Sequence, residues 1–173
     1  MNIYIFLVFL IDFSLFLIYN ILKMGVFMID IKIKKLRENA RIPTRSSKEA
    51  AGYDLYACLD CESLEIFPHT NVKIGTGFAL EIPDGYFAGI FARSGIATKQ
   101  SLRPANCVGI IDSDYRGEYF IPLFNDSDEI KYINNNERIA QLVILPYPEI
   151  SFKEVDKLSE TSRGINGFGS SGK

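Results

Sequence analysis

Asp112, Asp114, Tyr115, Arg116 and Glu118 crowd one short stretch, Val108-Gly109-Ile110-Ile111-Asp112-Ser113-Asp114-Tyr115-Arg116-Gly117-Glu118. Apolar residues lead into it, and Tyr119 to Phe124 lead out. The pattern reads as a buried strand that turns sharply, a β-hairpin presenting carboxylates, an aromatic ring and a guanidinium. Such a turn holds its side chains rigidly, as a catalytic or base-reading site requires. Arg93-Ser94-Gly95 is a second candidate, at the end of one strand and the start of a short helix. Helix-start N–H groups, a hydroxyl and a guanidinium could form an anion pocket, or simply a capped helix with a surface arginine. The stretch from Arg163 through Gly164, Gly167, Phe168, Gly169 and Ser170 to Gly172 could cradle phosphate, because glycines let the backbone approach an anion closely. A mobile tail has the same composition, and no Gly-Lys-Ser/Thr closes the stretch as a P-loop would require. Phe168 is out of place in a tail unless it covers something planar.

Further polar residues have both structural and functional readings. Asp54 opens a strand and could hold a hard cation directly or through water, or merely serve a turn. Arg138 and Gln141 enter an apolar strand on opposite faces and need polar partners there. Cys58-Leu59-Asp60-Cys61 is half a zinc site at best, since Cys107 and the sole histidine, His69, are far off in sequence. Structural cysteines are the expectation. With one histidine in a turn, no Ser/His/Asp triad is visible.

The elements that position these residues are short and regular. Ile29, Ile31 and Ile33 alternate with Asp30, Lys32 and Lys34 as in a half-buried strand. Arg41 to Ala51 reads as a loop and 55–59 as a strand. Val72 to Ile82 reads as one strand kinked at Gly75 and Gly77, and Pro83-Asp84-Gly85 as a turn. Further strands are expected at 86–92, 107–111, 118–124, 130–133, 138–145 and 150–155. Ser94 to Gln100 is the one short helix, with Ser94 as its N-cap. Strands at ten-residue spacing without intervening helices indicate an all-β sandwich, jelly roll or barrel.

Composition sets the bounds. The chain has 173 residues and a formal charge of −2, with no basic excess to suggest a nucleic-acid groove. Three cysteines suit a reducing compartment. Residues 1–27 form an apolar leader, 28–160 a β-domain and 161–173 a Gly/Ser-rich arm. Three readings of the leader stand. It is a translated upstream region with the true start at Met24 or Met28, a membrane anchor, or a signal peptide. Ile3 to Leu22 is about long enough to span a bilayer, but Asp12 at mid-span costs roughly 2.5–3.5 kcal/mol on insertion scales. No basic segment precedes the run and no small-residue cleavage pattern follows. The expected location is cytoplasmic, with membrane contact only if residues 1–23 are translated and inserted.

Five segments in order carry a resemblance: AGYDLYA (51–57), RSGIATK (93–99), NCVGIIDSDYRGE (106–118), ERIAQL (137–142) and RGINGFGSSG (163–172). Together they resemble the five motifs of the trimeric deoxyuridine triphosphatases, or dUTPases, over about residues 29–172. The resemblance implies an all-β, jelly-roll-like (β-clip) fold with one short helix, and a homotrimer with shared active sites. It implies Mg²⁺ and hydrolysis of dUTP to dUMP and pyrophosphate, which limits uracil incorporation into DNA and supplies dUMP for thymidylate synthesis. By the same resemblance Asp112 is the general base, and Tyr115 packs under the deoxyribose. Asn106, Gly109, Ile110 and Ile111 read the uracil, and Phe168 closes over it. Arg93, Ser94, Gly95, Gln141, Arg163, Gly169 and Ser170 bind the phosphates, and Asp54 holds the Mg²⁺ through water. Asn136 and Ser101 stand where the family commonly has glycine. A dCTP deaminase of the same fold and a non-catalytic nucleotide-sensing module are the rival readings. RSG and the Phe-bearing tail weigh against the first, and intact Asp112, Asp54 and Arg163 against the second.

Overall fold

The computed structural model describes residues 28–167, so the leader (1–27) and Phe168, Gly169 and Ser170 lie outside the described residues. The elements are β1 Lys32–Lys35, β2 Tyr53–Tyr56, β3 Ser63–Ile66, β4 Asn71–Gly75, β5 Phe78–Glu81, β6 Tyr86–Phe91, α1 Ser94–Gln100, β7 Leu102–Pro104, β8 Gly109–Ile111, β9 Phe120–Asn125, β10 Lys131–Asn134 and β11 Arg138–Pro146. They build a four-stranded sheet β2-β11-β6-β8, a three-stranded sheet β4-β9-β7, and the pairs β1-β5 and β10-β3. Every pairing is antiparallel. Leu55, Ile66, Phe78, Ile121, Ile133 and Ile139, from six different strands, meet in one buried cluster. Non-consecutive strands wrapped round one core make this the expected all-β, jelly-roll-like fold with one short helix. No helix among the described residues is long and apolar enough to cross a membrane.

Several elements differ from the sequence reading. The strand expected over 72–82 is two strands in different sheets: β4 pairs with β9 and β5 with β1. The break falls at Thr76–Gly77, where Gly77 takes a φ of +72°. β3 and β7 are additional short strands. Pro104 argues against a strand, yet β7 is the edge of its sheet, where a missing N–H is tolerated. Residues 150–155 form no strand. They find no ladder partner among the described residues, and Phe152 is 94% exposed. Ser94 is the first helical residue of α1, and Arg93 in an extended conformation is the N-cap. Ser101 and Asn136 adopt φ of 57° and 63°, the left-handed region that explains why glycine suits both positions.

The stretch read as a hairpin is a corner between sheets. β8 pairs with β6, whereas β9 pairs with β4 and β7. The incoming strand is only partly buried: Gly109 is buried but Ile110 is 68% exposed. The rigidity comes from local bonds instead of a ladder between the two arms. Tyr115 N–H donates to Asp112 O at 3.2 Å, and Tyr115 Oη donates to Glu118 O at 3.1 Å. Arg116 Nη1 reaches back to Tyr115 O at 3.1 Å and also to Ser113 O.

Candidate active site

The corner opens on a cavity of about 260 Å³ lined by Ile110, Ile111, Asp112 and Tyr115, together with Lys73, Glu118, Tyr119 and Phe120. Asp112 is exposed and Tyr115 is 44% exposed, so a carboxylate and a ring stand open to the same space. Beside them β8 is the last strand of its sheet. Its one ladder among the described residues, to β6, pairs Gly109 with Ile90, Ile110 with Gly89 and Ile111 with Ala88. An edge strand presents outward N–H and C=O groups with no partner strand. Gly109 packs closely, since a Cβ there would lie 3.2 Å from Ile90 Cβ and 3.3 Å from Asn106 Nδ2. Asn106 itself is exposed.

A second cavity, of about 320 Å³, is lined by Arg93, Gly95, Ile96, Lys99, Gln100, Glu137 and Arg138. Its organising group is Asp54, buried on β2. Arg93 Nε donates to Asp54 Oδ1 at 2.6 Å, and Arg138 Nη1 to Oδ2 at 3.3 Å. Arg93 Nη1 also donates to Arg138 O at 3.3 Å. Arg138 and Gln141 do not lie on opposite faces. A bulge between Arg138 and Ala140 sets Arg138 against Tyr56 and Gln141 against Asp54, two positions apart on β2. An inserted residue reverses the alternation, so both polar side chains serve the Asp54 side. Gln141 Nε2 donates to Ala92 O at 2.8 Å, and a Cβ on Gly52 would collide with Gln141 Oε1. Ser94 and Gly95 are exposed at the start of α1.

Asp54 limits how a cation could bind. Each of its oxygens is already taken by a guanidinium, and its side chain is only 12% exposed. Among the described residues no cluster of three or more His, Cys, Asp or Glu side chains forms a metal site. A carboxylate oxygen has two lone-pair directions, so one on each oxygen remains for a metal-bound water. The residues therefore fit a cation held through water and not one ligated directly.

The two cavities share no lining residue. Arg163 lies apart from both, exposed, its Nε donating to Asn166 O at 3.1 Å. Lys73, Tyr119 and Phe120 were not singled out by sequence. The approach of Lys73 to Asp112 depends on β4 pairing with β9, which no local pattern announces. Cys58 is buried, and burial pushes its thiol pKa up, as suits a structural cysteine. Its Sγ donates to Asn39 Oδ1 at 3.1 Å. His69 sits in an exposed turn beside Asp128, 2.9 Å away.

The sequence matches the dUTPase family over residues 38–172. A deoxyuridine 5′-triphosphate nucleotidohydrolase of Nautilia profundicola is 48% identical over 143 residues, covering 83% of this chain and 99% of that protein. One from Anaplasma marginale is 42% identical over 147 residues, covering 84% and 99%. Among solved structures, a mutant dUTPase of Staphylococcus bacteriophage 80alpha with dUpNHpp superposes with a TM-score of 0.76 at 32% identity, covering 84% of this chain and all of that one. A mutant dUTPase from phage phi11 of S. aureus, described for its coordination of a structural Mg(II) ion, gives 0.67 at 28% identity, covering 76% and all of that chain. Sequence relatives matched over nearly their whole length and solved structures with the same strand framework agree with the five motifs: the chain belongs to the dUTPase family.

Proposed function

We propose that the protein is a dUTP diphosphatase, hydrolysing dUTP to dUMP and pyrophosphate. The observation that carries this reading is one cavity shared by the exposed Asp112 carboxylate, the Tyr115 ring and the edge strand β8. Uracil lies along Gly109, Ile110 and Ile111, whose outward backbone donors and acceptors match its edge, with Asn106 beside them. A base read by hydrogen bonds is discriminated far more strongly than one in an apolar slot. Tyr115 packs under the deoxyribose and leaves no room for a 2′-hydroxyl. Asp112 orients a water and takes its proton as the water oxygen attacks the α-phosphorus. The bond from that phosphorus to the bridging oxygen breaks, and pyrophosphate leaves with the bonding electrons.

Arg93, Ser94, Gly95 and Gln141 bind the phosphates, with Arg163, Gly169 and Ser170 of the arm, while Phe168 covers the base. Asp54 keeps Arg93 and Arg138 extended toward this region and has lone pairs left for the water shell of Mg²⁺. When bound, that ion neutralises charge on the phosphates. The active unit is a homotrimer, in which the corner of one chain meets the phosphate-binding residues of another. The separation of the two cavities supports this, since one is below and the other barely within the roughly 300–1,000 Å³ of small-molecule sites. The thiols suit a cytoplasmic location. The product dUMP serves thymidylate synthesis, and removal of dUTP limits uracil in DNA.

Pyrophosphate release should be fast with dUTP and slow with dCTP, dTTP and UTP. Asp112→Asn should bind dUTP as before but lose about 10²–10⁴-fold in turnover. Equal rates on all four nucleotides would sink the substrate assignment. Full turnover in the variant would sink Asp112 as the base.

A further inference from the structure

The crossing from β4 to β5, where Thr76 and Gly77 interrupt the strand after Gly75, has no place in the chemistry above. Its polar groups nevertheless converge on the outgoing foot of the Asp112–Tyr115 corner. Thr76 N–H and Oγ1 both donate to Tyr119 O, at 3.1 and 2.8 Å, and Tyr119 N–H donates to Phe78 O at 3.0 Å. Gly77 N–H donates to Glu118 Oε1 at 2.9 Å. Glu118 has only 13% of its side chain exposed, and Arg37 Nη2 lies 3.5 Å from its Oε2. Arg37 is itself fixed: its Nη1 donates to Cys58 O at 3.0 Å, and the N–H groups of Leu36 and Arg37 donate to Gly77 O. The crossing must be made of small residues for this to happen. A Cβ at Gly75 would overlap Glu118 Oε1, and one at Gly77 would lie 2.7 Å from both Ala40 Cβ and Cys58 Sγ. The same Glu118 offers its backbone carbonyl to the Tyr115 hydroxyl at 3.1 Å.

We propose that Glu118 is a positioning residue for sugar selection, clamped by Arg37 and the Gly75–Gly77 crossing so that its carbonyl fixes the Tyr115 ring. This rests on the reading in which Tyr115 excludes a ribose. The clamp holds the foot from the side chain inward: the carboxylate is pinned to Gly77 and Arg37, its own carbonyl therefore keeps one position, and the Tyr115 ring is oriented from that point. The corner has no ladder between its two arms, so this pin replaces what a hairpin register would supply. A small displacement of a positioned group changes rates disproportionately.

The test compares Glu118→Ala, Glu118→Gln and Arg37→Met with the full-length protein, by amide hydrogen exchange and by kcat/KM for dUTP and UTP. In Glu118→Ala, exchange should quicken at residues 112–119 while β6 and β11 keep their protection. The preference for dUTP over UTP should fall roughly tenfold. Glu118→Gln retains an acceptor for Gly77 N–H and should recover most of both. Arg37→Met should move both in the same direction by less, and it decides the matter if Glu118→Ala does not fold. A merely structural residue would slow dUTP and UTP alike and leave their ratio unchanged. Unchanged exchange at 112–119 in a folded variant overturns the clamp, and faster exchange with an unchanged ratio overturns its role in sugar selection. Wild-type protein that releases no pyrophosphate from dUTP refutes the proposed activity and the sugar role with it, while the exchange result still decides the clamp.

Discussion

Tyr119 has the one buried side-chain oxygen that lacks a hydrogen-bond partner among the described residues. Its ring packs against Phe78 at 5.5 Å and Tyr115 at 6.2 Å between centroids. Burial pushes its pKa up to about 12, against a smaller opposing effect of Arg116. A buried hydroxyl that gains no bond is a net cost, so Tyr119→Phe should stabilise the fold by about 1 kcal/mol at neutral pH. The sign of the pH dependence follows from the raised pKa. The unfolded phenol ionises near 10 and the folded one near 12, so above pH 10 the unfolded state loses its proton first and is favoured. The wild type should therefore lose stability between pH 10 and 12 in a way the phenylalanine variant does not. Thermal melts of both proteins from pH 7 to 11 measure this. A variant less stable than wild type at pH 7 would show that the hydroxyl has a partner.

The elements explain which parts of the molecule were legible in the sequence. β1 was readable because Ile31 and Ile33 alternate with polar residues and pack on the core, whereas β11 was readable only as an apolar run, since no sequence pattern announces the bulge between Arg138 and Ala140. Asp112, Tyr115, Arg93 and Gln141 stood out as candidates because each lies in a motif contiguous in sequence. The sheet-to-sheet corner did not, since a strand–turn–strand pattern looks the same whether its arms pair with each other or with different partners. Arg37 and Glu118 were invisible as a pair for the same reason, meeting only through the β4–β5 crossing. The arm is the opposite case. Its described part bonds only to itself, through Gly164 N–H to Thr161 O at 3.1 Å and Arg163 to Asn166. Deleting residues 162–173 should therefore leave the melting temperature unchanged. If the arm closes over substrate, the same deletion should slow pyrophosphate release about 10²-fold. A truncated protein with wild-type turnover would remove Arg163, Phe168, Gly169 and Ser170 from the site.

At the scale of the whole molecule, a single chain keeps its chemical groups apart. Asp112 and Tyr115 line one cavity, Arg93 and Arg138 another, and Arg163 touches neither. The stretch after β11 also leaves Ile150, Phe152 and Leu158 exposed at 67%, 94% and 81%, apolar surface that the other described residues do not cover. The proposed homotrimer would account for both features, and it has a consequence that a self-sufficient chain lacks. Chains carrying Asp112→Asn and chains carrying Arg163→Ala, co-expressed in equal amounts, would assemble into mixed oligomers. If the corner and the arm of each site come from different chains, half the corners and half the arms are intact independently. About a quarter of the sites then regain both, and so does about a quarter of wild-type activity. If both come from one chain, no site is complete and the mixture is no more active than the two variants measured separately. Sedimentation of the same mixture would confirm that the chains had assembled as trimers before the rates are compared.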